Sequence, residues 1–403
     1  MQCWQALLYL PPLFPCVLND MDTHFRPFFS LAALAIGCVL SGVSAHAATP
    51  DAQIRATVDR YAEHIFYNSG ATGMALVAID GKAQLFRSYG ETRPGNNQRP
   101  RPDSLIRIAS LTKLMTSEVL VKLDAEGKVK LTDPLSRYAP PGKRVPTNAS
   151  GRPIRLMHLA SHTSGLPREQ PGGAANRAVF TWPTYSQRWQ WLQRARLSVA
   201  PGSAAAYSNL GYDLLADALA HATRQSYPAL FQRLITRPLG MSNTTYTPTA
   251  AQCARLMIPA RSASPCLSSL AAIGSGGVYS TPDDMRRWMQ QFLAGGQQPR
   301  SPYAARLLKM YYPRAKLNQV KGMDVPGKAA ALGLGWVYMA PQDGHPGIIQ
   351  KTGGAGGFIT YMALIPEKNI GVFVVVTRSD LTRFKNMSDG VNDLVSALAA
   401  QKR

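Results

Sequence analysis

An α+β fold, in which an antiparallel sheet is built from both ends of the chain and interrupted by a helical insertion, is what the sequence predicts. Three observations carry that expectation. Apolar runs separated by turn residues occur over 74–89 and again over 333–376. Between them, 131–270 reads as helices and long loops with little strand signal. The length of 403 residues, 45% hydrophobic and 17% charged, suffices for a large buried core in one large or two medium domains. The expected division is a sheet part over 48–125 and 271–403, flanked by helices, and an all-helical part over 126–270.

Residues 1–47 read as a targeting segment. From Met21 a weakly basic start (His24, Arg26) leads into an uncharged run over 27–45, and Ala45-His46-Ala47 supplies a small-residue cleavage site before Ala48. Residues 1–20 precede a credible start at Met21 and hold Pro11-Pro12, which suits no signal helix. The run is also long enough to remain as an uncleaved membrane anchor, so that alternative stands. Ala35-Ile36-Gly37-Cys38 is a poor lipoprotein box, because alanine opens it and apolar sequence continues past the cysteine. Cys3, Cys16 and Cys38 all fall here. The remaining Cys253 and Cys266 are an even number in an oxidising compartment and are expected to form one disulfide. Closing a loop of about 15 residues contributes roughly 3 kcal/mol.

Apolar residues at Ile54, Val58, Tyr61, Ala62, Ile65 and Phe66 predict a helix over 51–68 that Gly70 ends. A hairpin over 74–79 and 83–89 follows, turning at Asp80-Gly81. The polar loop 93–102 then delivers the chain to Ser110, and a helix rich in Leu, Met and Val runs to Leu123. His158 and His162 have the i, i+4 spacing of a metal pair but no third ligand, so they read as structural and no metal is expected. Phe180, Trp182, Tyr185, Trp189 and Trp191 suit core packing and a cleft lining equally. Tyr207-Ser208-Asn209 precedes a helix over 213–222. From Ala271 onward the pattern returns to sheet, with strands at 333–338, 348–351, 358–365 and 370–376, turns at 353–357 and 366–369, and a last helix at 392–400. There are no repeats and no nucleotide-type glycine loop, and no cofactor is expected.

The 44 Lys+Arg against 23 Asp+Glu give a formal charge of +21. These positive residues are scattered, without a Lys/Arg block or a nucleic-acid motif, which argues against nucleic acid as a partner. A polyanionic substrate or surface fits better, and peripheral contact with the inner membrane would fit as well.

Ser110-Leu111-Thr112-Lys113 is the candidate catalytic stretch. A serine hydroxyl needs a base within hydrogen-bond reach to attack, and on a helix residues i and i+3 share a face. Roughly one Ser-x-x-Lys is expected by chance in a chain this long, so alone it decides nothing. Tyr207-x-Asn209 and Lys351-Thr352-Gly353 follow in order, each once. Together, in an exported α+β chain, the three motifs resemble the serine β-lactamase and penicillin-binding-protein superfamily, and tyrosine in the middle motif resembles the class C type. His162-Thr163-Ser164-Gly165-Leu166-Pro167, Pro238-Leu239-Gly240-Met241, Gly276-Gly277-Val278-Tyr279-Ser280-Thr281 and Gly333-Leu334-Gly335-Trp336 are similar to further signatures of that family.

The resemblance implies a β-lactamase/DD-peptidase-like fold and a set of roles. Ser110 would attack a D-Ala-D-Ala or β-lactam carbonyl and form an acyl-enzyme. Lys113 and Tyr207 both qualify as its base, Tyr207 if flanking ammonium groups favour its phenolate; the sequence leaves that contest open. Asn209 would orient the substrate amide, Lys351 and Thr352 would take its terminal carboxylate, and Gly353 would let it approach as an added strand. The N–H groups of Ser110 and Gly354 would form the oxyanion hole. The implied activity is that of a periplasmic serine DD-peptidase: a carboxypeptidase on terminal D-Ala and an endopeptidase on the cross-links of peptidoglycan stem peptides, with β-lactams as covalent inhibitors. A class C β-lactamase and a serine esterase are the rival enzymes. A non-enzymatic penicillin-binding sensor is disfavoured by intact Ser110, Lys113 and Tyr207.

Overall fold

The computed structural model describes residues 49–173, 178–294 and 301–402; the predicted targeting segment lies outside them. Helix α1 (Pro50–Ser69) begins where the Thr49 hydroxyl accepts the Ala52 N–H at 3.3 Å and ends at Gly70 in the left-handed conformation. The hairpin of β1 (Gly73–Asp80) and β2 (Ala83–Gly90) follows. Its two-residue loop is Gly81-Lys82, one position later than expected, because Asp80 still pairs with Ala83 and Gly81 supplies the positive φ of 60°.

Four more helices position the site: α2 (Thr112–Ala125), α3 (Asn209–Thr223), α4 (Pro282–Gln290) and α5 (Phe384–Ala400). The strands of the main sheet that follow α4 are β3 (Tyr312–Pro313), β4 (Ala331–Leu332), β5 (Val337–Met339), β6 (Ile348–Ala355), β7 (Phe358–Ile365) and β8 (Ile370–Thr377). All eight strands form one antiparallel sheet in the order β2-β1-β8-β7-β6-β5-β4-β3. The two ends of the chain meet in its middle, where β1 pairs with β8 from Gly73↔Thr377 to Asp80↔Ile370.

Both faces of that centre are covered, which explains why β1 is apolar without a break. Met74, Leu76 and Ala78 pack with Val58, Ala62 and Ile65 of α1 and Val391, Leu394, Val395 and Leu398 of α5. Ala75, Val77 and Ile79 turn the other way, into a core shared with Leu114, Met115 and Val119 of α2 and Met285, Trp288 and Met289 of α4. Each buried Val, Leu, Ile or Met among them contributes about 1.5–3 kcal/mol.

Several expected boundaries move, each for a local reason. Helix α3 starts at Asn209 rather than 213, because the Ser208 hydroxyl caps it by accepting the Gly211 N–H at 2.9 Å. Helix α4 lies inside a stretch read as sheet, although Thr281-Pro282-Asp283-Asp284 is a cap, a first-turn proline and two first-turn acids. Residues 333–338 are not one strand: Gly333 N–H donates to Trp336 O at 2.9 Å, making a turn between β4 and β5. The predicted turn 353–357 shrinks to Gly356-Gly357, and Gly353, Gly354 and Ala355 belong to β6. Helix α5 begins eight residues before the expected 392. A short strand, Ala205–Ala206, pairs with Val320–Lys321 in the stretch read as helices and loops.

Cys253 and Cys266 are joined by a disulfide with their Cα atoms 5.8 Å apart. Of the aromatic cluster, Trp189 is core: it is buried and its Nε1 donates to Asp217 at 2.9 Å, beside the buried Arg188–Asp217 ion pair at 2.6 Å. No described helix is long and apolar enough to cross a membrane.

Candidate active site

Three elements converge on Ser110. The serine sits in a 3₁₀ turn, Ala109–Leu111, immediately before α2, and not inside the helix as the i, i+3 argument assumed. Ala109 holds a φ of 48°, a conformation that costs a non-glycine residue about 1–3 kcal/mol. The turn still puts Lys113 within reach, since its Nζ donates to Ser110 Oγ at 3.1 Å. The second element is the start of α3, with Tyr207 and Asn209 either side of the capping Ser208. The third is β6, which carries Lys351, Thr352, Gly353 and Gly354.

Lys113 is fully buried and donates also to Asn209 Oδ1 at 2.6 Å and to the Ser275 carbonyl. Burial lowers its pKa to about 7, against the opposing pull of the Asp213 and Glu169 carboxylates; Arg168 adds to the lowering. Asp213 holds the loop that supplies the carbonyl: its carboxylate accepts the N–H groups of Gly274 and Ser275 at 2.9 Å each and the Ser275 hydroxyl at 3.1 Å. Burial raises the Asp213 pKa to about 6, held back by Arg188, by these hydrogen bonds and by Lys113.

The Tyr207 ring is surrounded by cations. Lys113 Nζ, Lys351 Nζ and Arg168 Cζ lie 4.9, 4.7 and 4.8 Å from its centroid. His162 stacks on the ring at 4.4 Å and accepts the Ser208 N–H on Nδ1 at 3.0 Å. Burial, together with Lys351, Lys113 and Arg168, pushes its pKa well down, so the imidazole is neutral. His162 thus holds the Tyr207-Ser208 segment, and His158, pushed down to about 4 by burial and by Arg155, accepts the Arg155 N–H at 3.1 Å. Among the described residues no three His, Cys, Asp or Glu side chains are placed to hold a metal ion.

Strand β6 touches the serine turn where its side chains vanish. A Cβ on Gly353 would lie 3.1 Å from Ser110 N, 2.9 Å from Ile108 O and 2.3 Å from Thr360 Oγ1, so only glycine permits this approach. Its pairing with β5 ends at Gln350↔Val337, while pairing with β7 continues to Ala355↔Phe358. Residues 351–355 therefore present one edge outside the ladder, alongside Ser110. Burial lowers the Lys351 pKa to about 8, opposed by the adjacent Tyr207.

The structure thus gathers Ser110, Lys113, Tyr207, Asn209, Lys351 and Gly353 at one place, with Thr352 and Gly354 next along β6. Sequence reasoning did not single out Asp213, His162 as a support of Tyr207, or Arg168 and Glu169, which flank the site. Only Asp213 had a local signal: it lies at i+4 from Asn209, on the same face of α3.

The chain is 66% identical over 376 residues to the D-alanyl-D-alanine-carboxypeptidase/endopeptidase AmpH of Escherichia coli K12, covering 93% of this chain and 97% of that one. It is 65% identical to a solved structure described as a β-lactamase/D-alanine carboxypeptidase from Yersinia pestis complexed with citrate, with a TM-score of 0.84 over 86% of this chain and 98% of the other. A class C β-lactamase shares the fold, at 18% identity and a TM-score of 0.71 over 87% of this chain and 98% of its own. The Beta-lactamase family matches residues 54–395, a span that contains every residue of the constellation, and the chain belongs to that family.

Proposed function

We propose that this protein is a periplasmic serine DD-peptidase, releasing terminal D-Ala from peptidoglycan stem peptides and cutting their cross-links through a Ser110 acyl-enzyme. The observation that carries the reading is the 66% identity, along nearly the full length of both chains, to a carboxypeptidase/endopeptidase. The sheet part (48–125 and 271–403) and the helical part (126–270) would act as one catalytic domain, with Ser110, Tyr207 and Lys351 contributed from both.

The geometry supports a sequence of steps. A neutral Lys113 amine has two hydrogens and one lone pair. Donation to Asn209 Oδ1 and to the Ser275 carbonyl leaves the lone pair for the Ser110 hydroxyl, 3.1 Å away. In the free enzyme this favours Lys113 over Tyr207 as the acceptor of the serine proton, and Tyr207, between Lys113 and Lys351, is suited to pass a proton to the departing amine. The substrate lies along the open edge of β6, its terminal carboxylate directed to Lys351 and Thr352 and its scissile carbonyl to the N–H groups of Ser110 and Gly354. Water then clears the acyl group. β-Lactams enter the same cycle as covalent inhibitors, and their slow release separates a peptidase from a β-lactamase.

A fluorescent penicillin should label the wild-type protein, and the label should vanish in Ser110→Ala. Label retained on another residue of that variant would remove Ser110 as the nucleophile.

A further inference from the structure

We propose that Asp213 is the buried counter-charge for the proton that Lys113 takes from Ser110, a positioning residue that acts on the nucleophile through Ser275 and Lys113. The inference rests on the reading of Lys113 as the base of the serine, and adds what makes that base strong enough inside the protein.

Lys113 belongs to a buried charged group with Asp213, Asp217 and Arg188. Arg188 gives Nε and Nη2 to the two oxygens of Asp217, at 2.6 and 2.7 Å, and Nη1 to the carbonyls of Pro183 and Ala271 at 3.1 Å each. Its donors are thereby spent. Asp213 makes no ion pair among the described residues. With Lys113 neutral, the four side chains carry one uncompensated negative charge; with Lys113 protonated, they balance. The proton leaving Ser110 therefore moves towards the buried charge that lacks a partner. Burial puts the Asp213 pKa at about 6 and that of Lys113 at about 7, so Asp213 is ionised where Lys113 becomes a base.

The hydrogen bonds of Asp213 position Lys113 as well. Oδ1 accepts the Gly274 and Ser275 N–H groups at 2.9 Å each, and Oδ2 the Ser275 hydroxyl at 3.1 Å. Thr116 of α2 fastens the same loop by donating to the Gly274 carbonyl at 2.9 Å. Ser275, so gripped, turns its carbonyl to Lys113. A neutral asparagine could make the same grip, with its oxygen taking both N–H groups and its NH2 the Ser275 hydroxyl. The grip alone gives no reason to bury a charge, which is costly; the counter-charge does. The other groups facing the pair do not supply it. Glu169 is exposed and bonded to Asn209, so water screens it. Lys351 and Arg168 are cations that oppose a charge on Lys113. Tyr207 presents its ring face to Lys113, His162 is neutral, and burial keeps Tyr212, Tyr227 and Tyr246 protonated.

The test follows the rate constant for acylation by a fluorescent penicillin from pH 5 to pH 9. Asp213→Asn keeps the grip and removes the charge. Its acid limb should lie about one pH unit below that of wild type. Its plateau should be about three- to tenfold lower, since a weaker base takes the proton more slowly. The alkaline limb at about pH 8, set by Lys351, should stay in place. Asp213→Ser, a second neutral variant, should move the acid limb the same way should the asparagine variant fail to fold. Ser275→Ala, which leaves the carboxylate, should keep the wild-type limb. An acid limb unmoved in a folded neutral variant, whether or not the rate falls, would overturn the inference. Absence of D-Ala release by wild-type protein whose variants still follow this profile would overturn the peptidase reading and leave the inference standing.

Discussion

At the scale of single residues the chemistry turns on one amine. Lys113 is charged below about pH 7 and neutral above it, because burial lowers its pKa to that value. Lys351, lowered to about 8 for the same reason, loses above that point the charge that would hold a substrate carboxylate. The expected profile of kcat/KM for D-Ala release is therefore a bell, rising through about pH 7 and falling above about pH 8. Replacing Lys113 by Arg keeps a cation and removes the base, and should cost about 10²–10⁴-fold in acylation. A wild-type profile that stays flat from pH 5 to pH 9 would exclude Lys113 as the proton acceptor. The side chains that the structure brings together around Ser110 were legible in the sequence, since three motifs in order name Lys113, Tyr207, Asn209 and Lys351 beside it. Their supports were not. Ser275 reaches Lys113 through a backbone carbonyl across 162 residues of sequence, and spacing says nothing about such a contact.

At the scale of elements, strand β6 and the serine turn are the critical pair. The glycines of 353–357 read locally as a turn, because glycine most often marks one. The structure uses Gly353 for a tertiary reason: a bare backbone is what lets β6 lie against Ser110 N and Ile108 O. That reason lies in the partner and not in the string, and the strand's end was lost with it. By contrast, strand β7 was read at its true limits, 358–365, since its apolar run and bounding turn residues are local. Gly353→Ala should push β6 off the serine turn. We expect penicillin acylation to fall by about a hundredfold, the order of loss a displacement of about 1 Å brings, while the fold survives an overpacking cost of about 1–3 kcal/mol. The check is the acylation rate alongside the melting temperature. An unchanged rate would mean that the approach of β6 is not needed for chemistry.

At the scale of the whole molecule, joining β1 to β8 makes the N-terminal hairpin and the C-terminal strands one platform, and the residues between them supply Tyr207 and Asn209. This architecture was readable because the strand signal lies at both ends of the chain. Helix α4 departs from that pattern, and its start signals, Thr281 and Pro282, are local to it. The platform serves peptidases and β-lactamases alike, as the likeness to a class C β-lactamase at 18% identity illustrates. What separates the two activities is the fate of the acyl-enzyme, so the decisive measurement gives both substrates to one purified protein. Incubated with pentapeptide muropeptides and, separately, with a chromogenic cephalosporin, it should release D-Ala through many turnovers while clearing the cephalosporin slowly. Rapid cephalosporin turnover without D-Ala release would contradict the account.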